Sequence, residues 1–396
     1  MKTSTNLALA AIISFAVLNP VPAFAKPAAD PRLPATQPPI DQPAIDDNNR
    51  IQIALLLDTS NSMDGLIDQA RTQLWKVVNT FIDAKRNGKT PFVEVALYEY
   101  GNNNNAIGND WIRLISPMTR DLDGLSNKLF ELKTNGGDEY CGAVIQRSLV
   151  DLAWDQRDSV YKAIFIAGNE PFNAGRVDYR SACKEALAKN ISVNTIHCGN
   201  RQEGINGSWH DGAAIGGGDF LVIDQDIAAA HINAPQDKKI AELSLELNKT
   251  YLGYGKQRKE AAANQQRADN DAETNAGVGA SVQRALTKSS DNYSNAAWDL
   301  VDALRENKID PAELKIEELP EEMKALSPQA RKEFIENAAA RRSAIQTKIK
   351  TLNEEREAHV AAELKKHAEV DGKTLDQAII EATRKQAGLL GYEFKD

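Results

Sequence analysis

The chain alternates short apolar runs with segments whose apolar residues recur every three or four positions. The run from Ile51 to Leu57 is typical of a strand buried on both faces, and a helical stripe from Ile67 to Phe81 follows it. The same alternation continues to a last predicted strand at Phe220 to Ile223. Strands that alternate with helices form mostly parallel sheets. We therefore predict an α/β domain over residues 50–250, with a doubly wound, Rossmann-like, mostly parallel sheet.

Beyond this domain the strand pattern stops. Residues 251–280 are polar and are predicted to be a linker, whereas residues 281–396 are charged, Ala-rich and predicted to be an α-helical C-terminal region. Ile345, Ile349 and Leu352 keep a coiled-coil spacing that the next core positions do not continue. A helical hairpin or a modest face for self-association is therefore expected, and a long rod is not.

The start of the sequence predicts export. Lys2, an apolar run from Leu7 to Leu18 and the small-residue motif ending at Ala25 are typical of a signal peptide over residues 1–25, and residues 26–49 form a Pro-rich linker. The apolar run is too short to span a bilayer of roughly 30 Å. We expect a periplasmic or secreted protein of a Gram-negative bacterium, with no integral membrane segment after the leader is cleaved.

The net charge of the chain limits the classes of molecule that it is expected to bind. The formal net charge of the chain is -9. An acidic protein is repelled by the phosphates of nucleic acids and by anionic lipid. The expected partner is therefore another protein and not a nucleic acid.

The clearest chemical signal follows the first predicted strand. Asp58-Thr59-Ser60-Asn61-Ser62 joins this strand to a long amphipathic helix. Such a turn can direct one carboxylate and two hydroxyls at a single point, and a hard divalent cation requires oxygen ligands of this kind. Ligands of doubly wound sheets bind at the carboxyl ends of the strands. Taken alone, the same residues are equally compatible with a polar turn that caps the helix.

Two later loops extend the signal. The succession of a strand, Asp58-x-Ser60-x-Ser62, a helix, a Gly136-Gly137-Asp138 loop, a strand and an Asn169-Glu170-Pro171 loop resembles the von Willebrand factor A (VWA) domain with its metal-ion-dependent adhesion site (MIDAS). The resemblance covers roughly Arg50 to Asn248. It implies that Ser60 and Ser62 bind one Mg²⁺ (or Mn²⁺ or Ca²⁺) ion directly and that Asp58 supports it. It also implies that an acidic side chain of a partner completes the coordination.

The sequence departs from the family pattern in two loops. Asp138, with Glu139 beside it, stands where the family has a threonine, and Gly168 stands where the family has an aspartate. Asp138 and Glu170 are the candidate replacement ligands. The alternative is a degenerate site that keeps the fold and has lost the ion.

Three cysteines are present, at positions 141, 183 and 198. Cys183 lies on the apolar face of a predicted helix, which favours a buried thiol. Cys141 and Cys198 follow elements whose loops should lie at the rim of the metal site, so a disulfide between them is predicted for an oxidising compartment.

These features favour a metal-assisted, adhesion-type protein-binding module of the periplasm or cell surface. The alternative function is a metal-independent envelope scaffold that acts through its helical tail. An enzyme is not expected. Ser60 stands where a phosphatase of the haloacid-dehalogenase type requires a second carboxylate, and no nucleophile elbow or phosphate-binding loop is present.

Overall fold

The structure, a computed structural model, describes residues 49–81, 84–105, 107–224, 232–310, 313–366 and 375–394. The predicted signal peptide and all but the last residue of the predicted Pro-rich linker lie outside these ranges. The described residues form six strands and twelve α-helices. The strands are β1 (Arg50–Asp58), β2 (Phe92–Tyr100), β3 (Arg113–Thr119), β4 (Tyr161–Gly168), β5 (Ser192–Cys198) and β6 (Gly217–Ile223).

The strands form one sheet in the order β3-β2-β1-β4-β5-β6. Every neighbouring pair is parallel except β2 and β3, which form an antiparallel pair at one edge. The predicted fold class is therefore confirmed. Strand β1 lies between β2 and β4, so the chain leaves it toward opposite sides of the sheet, and its carboxyl end is a position where such folds bind ligands.

Helices cover both faces of the sheet, as the apolar run of β1 predicts. The helices are α1 (Asp64–Asn79), α2 (Leu122–Glu131), α3 (Cys141–Asp151), α4 (Tyr179–Ala188), α5 (Arg201–Asn206), α6 (Trp209–Ile215), α7 (Asp237–Asn248), α8 (Arg258–Thr274), α9 (Gly277–Lys288), α10 (Leu300–Arg305), α11 (Pro328–Lys366) and α12 (Leu375–Gly388). Leu55 and Leu57 of β1 face α1, α2 and α12, whereas Ala54 and Leu56 face α3, α4 and α6.

The C-terminal helix α12 belongs to the core of the sheet domain. Leu375, Ala378, Ile379 and Ala382 are all buried in the same cluster as α1 and the sheet. The α12 side chain of Gln386 also donates to Asn194 Oδ1 of β5 at 2.6 Å. The end of the predicted C-terminal helical region is thus an integral layer of the α/β domain and not part of a separate tail.

The predicted polar linker at residues 251–280 is wrong, because residues 258–274 form the regular helix α8. Few of its side chains are apolar, and it is held instead by buried ion pairs. Arg284 of α9 is buried between Asp123 of α2, at 2.7 Å, and Asp269 of α8. The polar segment is ordered as a helix because its Asp269 shares the buried Arg284 with Asp123, a residue distant in sequence.

The predicted self-association seam is occupied within the chain. Ile345 and Ile349 of α11 are buried against α7 and α9, in a cluster that includes Leu243 and Val282. They are therefore not available to a second copy in this conformation. Among the described residues, no helix has the length and apolarity needed to cross a membrane.

Candidate metal site at the carboxyl edge of the sheet

The candidate site begins with the buried carboxylate of Asp58 at the end of β1. Its Oδ1 accepts a hydrogen bond from the Ser60 amide at 2.8 Å, and its Oδ2 is buried without a hydrogen-bond partner in the described part of the chain. Burial, together with the charges of Glu139 and Glu170, raises the pKa of Asp58 from 3.8 to about 7, against the opposing effect of the Ser60 hydrogen bonds. Buried carboxylates are normally paired or bound to a metal, so this oxygen requires a cation or a proton.

Two serine hydroxyls lie together beside this carboxylate. The Oγ atoms of Ser60 and Ser62 are 3.4 Å apart. Asn169 on the loop after β4 donates from Nδ2 to Ser62 Oγ at 3.1 Å, and its own Oδ1 is buried without a partner among the described residues. The loops after β1 and β4 therefore meet at one point, as the sequence predicts. Asn169 Oδ1 is a further oxygen atom at this point, and it belongs to a residue that was not among the ligands predicted from the sequence.

Of the two adjacent acids after Gly137, Glu139 is the one directed at the serines. Burial raises the pKa of Glu139, and the nearby Ser60 side chain opposes this rise. Asp138 is exposed and accepts a hydrogen bond from the Tyr140 hydroxyl at 3.2 Å instead. Asp138, the ligand predicted from the sequence, and Glu139, which lies near Ser60, are thus adjacent in the sequence. Their side chains have different neighbours.

Gly101 makes room for this arrangement. A Cβ at Gly101 would lie 2.8 Å from Glu139 Cγ and 3.0 Å from Asp58 Oδ1, and the residue has a φ of +75° that side chains rarely adopt. A larger residue at the end of β2 would displace both carboxylates. The approach of Glu139 to Asp58 therefore depends on a glycine from a third loop.

The remaining predicted ligand, Glu170, lies at the edge of the site. Its side chain is exposed, while its charge still acts on both Asp58 and Glu139. Its main-chain carbonyl accepts a hydrogen bond from Trp209 Nε1 at 2.8 Å. Helix α6 thus fixes the backbone of this loop.

Gly168, at the position of the family aspartate, is explained by Tyr100. A Cβ at Gly168 would lie 2.5 Å from the Tyr100 hydroxyl and 3.0 Å from Asp58 Oδ2. Tyr100 is fully buried, and its hydroxyl donates to the Ala167 carbonyl at 2.9 Å. The phenol therefore fills the space of the missing side chain, and the second carboxylate comes from Glu139.

The residues fit a hard divalent cation. Asp58, Ser60, Ser62 and Glu139 supply only oxygen atoms, and one carboxylate oxygen has no other partner among the described residues. Within the described ranges no group of three His, Cys, Asp or Glu side chains could hold an ion. Hydroxyl ligands are therefore necessary for any ion bound here.

The predicted disulfide between Cys141 and Cys198 is wrong, because all three cysteines are free and buried. Cys141 belongs to the core on the α3 and α4 side of the sheet, where its thiol donates to the Tyr100 hydroxyl at 3.8 Å. Cys198 belongs to the core on the opposite face. The prediction that Cys183 is a buried thiol is confirmed, and burial raises its pKa to about 12.

Replacing Asp58 by Asn should stabilise the metal-free protein at high pH. The folded-state pKa of about 7 exceeds the ordinary carboxyl pKa of 3.8, so the folded protein binds the extra proton and loses stability as pH rises from 4 to 7. With EDTA present, Asp58→Asn should raise the free energy of unfolding at pH 8 by about 4 kcal/mol and change it little at pH 4. Urea denaturation at both pH values measures this. The exposed Asp138→Asn is the control, and a loss of stability in Asp58→Asn at pH 8 would contradict the expectation.

No protein-family model matches the chain, and no curated protein matches it. Solved structures to which it is similar include the SpRpn10 VWA domain, at 16% identity and a TM-score of 0.34 over 46% of this chain and 90% of that one. A second is BatB of Bacteroides thetaiotaomicron, described as a conserved hypothetical protein, at 16% identity and a TM-score of 0.34 over 50% of this chain and 98% of that one. A third is proximal thread matrix protein 1 of the mussel byssus, described with a zinc-occupied MIDAS motif, at 12% identity and a TM-score of 0.34 over 46% of this chain and 44% of that one.

VWA domains are thus among the solved structures that the chain is similar to, as the sequence resemblance predicted. Identities of 12–16% and TM-scores of 0.34 carry no conclusion about function. The class of the protein rests on its own sheet, a doubly wound α/β domain with a candidate site at the carboxyl end of β1.

Proposed function

We propose that this protein is a metal-assisted, adhesion-type module that binds a partner protein in the periplasm or at the cell surface. The observation that carries the proposal is Asp58 Oδ2, a buried carboxylate oxygen with no hydrogen-bond partner among the described residues, beside the hydroxyls of Ser60 and Ser62. A divalent cation held there would satisfy this oxygen. We assign no catalytic role to the site.

Asp58, Ser60, Ser62 and Glu139 would hold the ion, which we infer to be Mg²⁺, Mn²⁺ or Ca²⁺. When bound, the ion supplies a positive centre that accepts an acidic side chain of the partner. The two carboxylates of Asp58 and Glu139 neutralise a divalent charge, and the charge of Glu170 also acts at the site. Attraction for an anionic partner falls as local negative charge accumulates, so a modest affinity is expected.

The adjacent acids Asp138 and Glu139 provide a matched test of the ligand set. Mn²⁺ titration of the full chain by calorimetry should find one ion, which Asp58→Ala or the Ser60→Ala, Ser62→Ala pair abolishes. Glu139→Gln should weaken Mn²⁺ affinity by about 10- to 100-fold, because it removes a charged oxygen beside Ser60 while keeping the shape. Asp138→Asn should change the affinity less than threefold, because that carboxylate contacts Tyr140.

The outcomes separate the alternatives. If Asp138→Asn weakens Mn²⁺ binding more than Glu139→Gln does, the ligand from this loop is Asp138, as predicted from the sequence, and not Glu139. Proteins that co-purify with the chain should be lost with EDTA and with Asp58→Ala. If they are retained in both cases, the adhesion function is wrong and the metal-independent scaffold takes its place.

A further inference from the structure

A buried histidine lies behind the candidate metal site. His197 of β5 is 2% exposed, and neither of its ring nitrogens has a hydrogen-bond partner in the described part of the chain. A polar ring buried in this way is costly unless it has a role. Neither the proposed metal site nor the sheet hydrogen bonding uses it.

Helices α5 and α6 close tightly over this imidazole. A Cβ on Gly204 of α5 would lie 2.8 Å from His197 Cγ, so only a glycine allows this approach. On the other side, the ring centroid of Trp209 in α6 is 5.7 Å from that of His197. An imidazolium could not be hydrated in this space, so protonation requires the two helices to move away from β5.

The same two helices hold the loop of the candidate metal site. Trp209 Nε1 donates to the Glu170 carbonyl at 2.8 Å, and the Phe172 amide donates to the Gly207 carbonyl at 2.8 Å. Asn169, at the start of that loop, donates to Ser62 Oγ at 3.1 Å. A continuous set of contacts therefore runs from the imidazole through Trp209 to the serine hydroxyls.

We propose that His197 is a pH-sensitive latch, in which protonation of the imidazole releases α5 and α6 from β5 and loosens the loop of residues 169–172. This inference rests in part on the proposed metal site, since its consequence is weaker ion binding at low pH.

The charges around the ring leave burial as the main control of protonation. Burial lowers the pKa of His197, and the charge of Glu203 on α5 opposes this. Strands β4 and β6 place uncharged Gly168 and Val222 beside it in the sheet. The neighbouring ionisable groups have other contacts. Arg201 lies over the Phe220 ring, and His210 contacts the same ring edge to face. Asp211 accepts from the Tyr179 hydroxyl, and Cys198 faces the opposite core. None of them is hydrogen bonded to the imidazole.

Hydrogen exchange of the full chain in EDTA tests the latch without any metal. If the open form has the ordinary His pKa of about 6.5, lowering the pH from 7.5 to 5.5 should favour opening by up to about tenfold. Amide exchange in residues 201–215 and 169–172, corrected for the effect of pH on intrinsic rates, should rise accordingly. His197→Phe should remove this rise, with His197→Leu as a second variant should Phe not fit.

His210→Phe is the matched control, because His210 is exposed on α6 and should leave the rise unchanged. The same experiments in an Asp58→Asn background remove the titration of Asp58. Exchange in these segments that does not rise at pH 5.5, or that rises equally in the His197 variants, would overturn the latch.

Mn²⁺ titration then tests the link to the site. Between pH 7.5 and 5.5 wild type should lose up to about tenfold more affinity than His197→Phe, because both share the protonation of Asp58 but only wild type has the latch. An equal loss in the two proteins would overturn the coupling. If no variant binds Mn²⁺ at either pH, the proposed metal function fails, while the exchange experiment still decides whether the latch exists.

Discussion

A chain shortened after Lys366 should fail to form the cooperative α/β fold. It would lack α12, and the buried side chains of Leu375, Ile379 and Tyr392 would no longer cover α1 and the sheet. Exposing an apolar surface of this kind favours aggregation. We expect the shortened protein to be insoluble, or to show no cooperative thermal transition by circular dichroism.

Single substitutions give the same test in a protein that still folds. Ile379 is 2% exposed, whereas Leu389, just beyond the end of α12, is 85% exposed. Ile379→Ala should lower the free energy of unfolding by about 2–5 kcal/mol, and Leu389→Ala should change it by less than about 0.5 kcal/mol. A shortened chain that melts at the wild-type temperature would contradict the assignment of α12 to the core.

Replacing Arg284 by Met should destabilise the whole protein by about 3–5 kcal/mol. Arg284 is 1% exposed, donates to Asp123 at 2.7 Å and also pairs with Asp269. Its guanidinium lies 4.6 Å from the ring centroid of Trp75, so its contacts join α1, α2, α8 and α9. Met fills similar space but leaves the buried Asp123 without its cation, and Asp269 then keeps only Lys288 as a cation among the described residues.

Arg176 is the control because its ion pair has the same length and lies at the surface. Arg176 is 2.7 Å from Asp110, and its side chain is 73% exposed. Arg176→Met should cost less than about 1 kcal/mol, since exposed pairs contribute little. Urea denaturation should show Arg284→Met unfolding in one transition. A separate early loss of α8 and α9 alone would contradict their integration with the sheet domain.

The sequence predicts the sheet and the position of the site because both depend on local patterns. The apolar run of β1 from Ile53 to Leu57 requires helices on two faces. Asp58 follows it directly, so its position at the carboxyl edge needs no knowledge of distant contacts.

Other features depend on residues far apart in the chain. Glu139 rather than Asp138 turns toward Ser60 because Gly101 leaves space for it. Helix α8 is polar enough to resemble a linker, and it is ordered by Arg284 and Lys288 from the next helix. The disulfide prediction placed Cys141 and Cys198 on one rim, but strand alternation directs Cys198 to the face that α3 does not cover. The alternation of side chains along β5 can be read from the sequence. It argues against the disulfide only when the face of the sheet that α3 covers is also known.

The packing of α12 against α1 also determines the order in which the elements of the domain can fold. The Leu375 amide donates to Gln69 Oε1 across 306 positions of sequence. Contacts of such long range form late and slow folding, because the entropy of closing the intervening chain must be overcome first. During synthesis the apolar face of β1 and α1 therefore stays exposed until α12 has been made and packs against it.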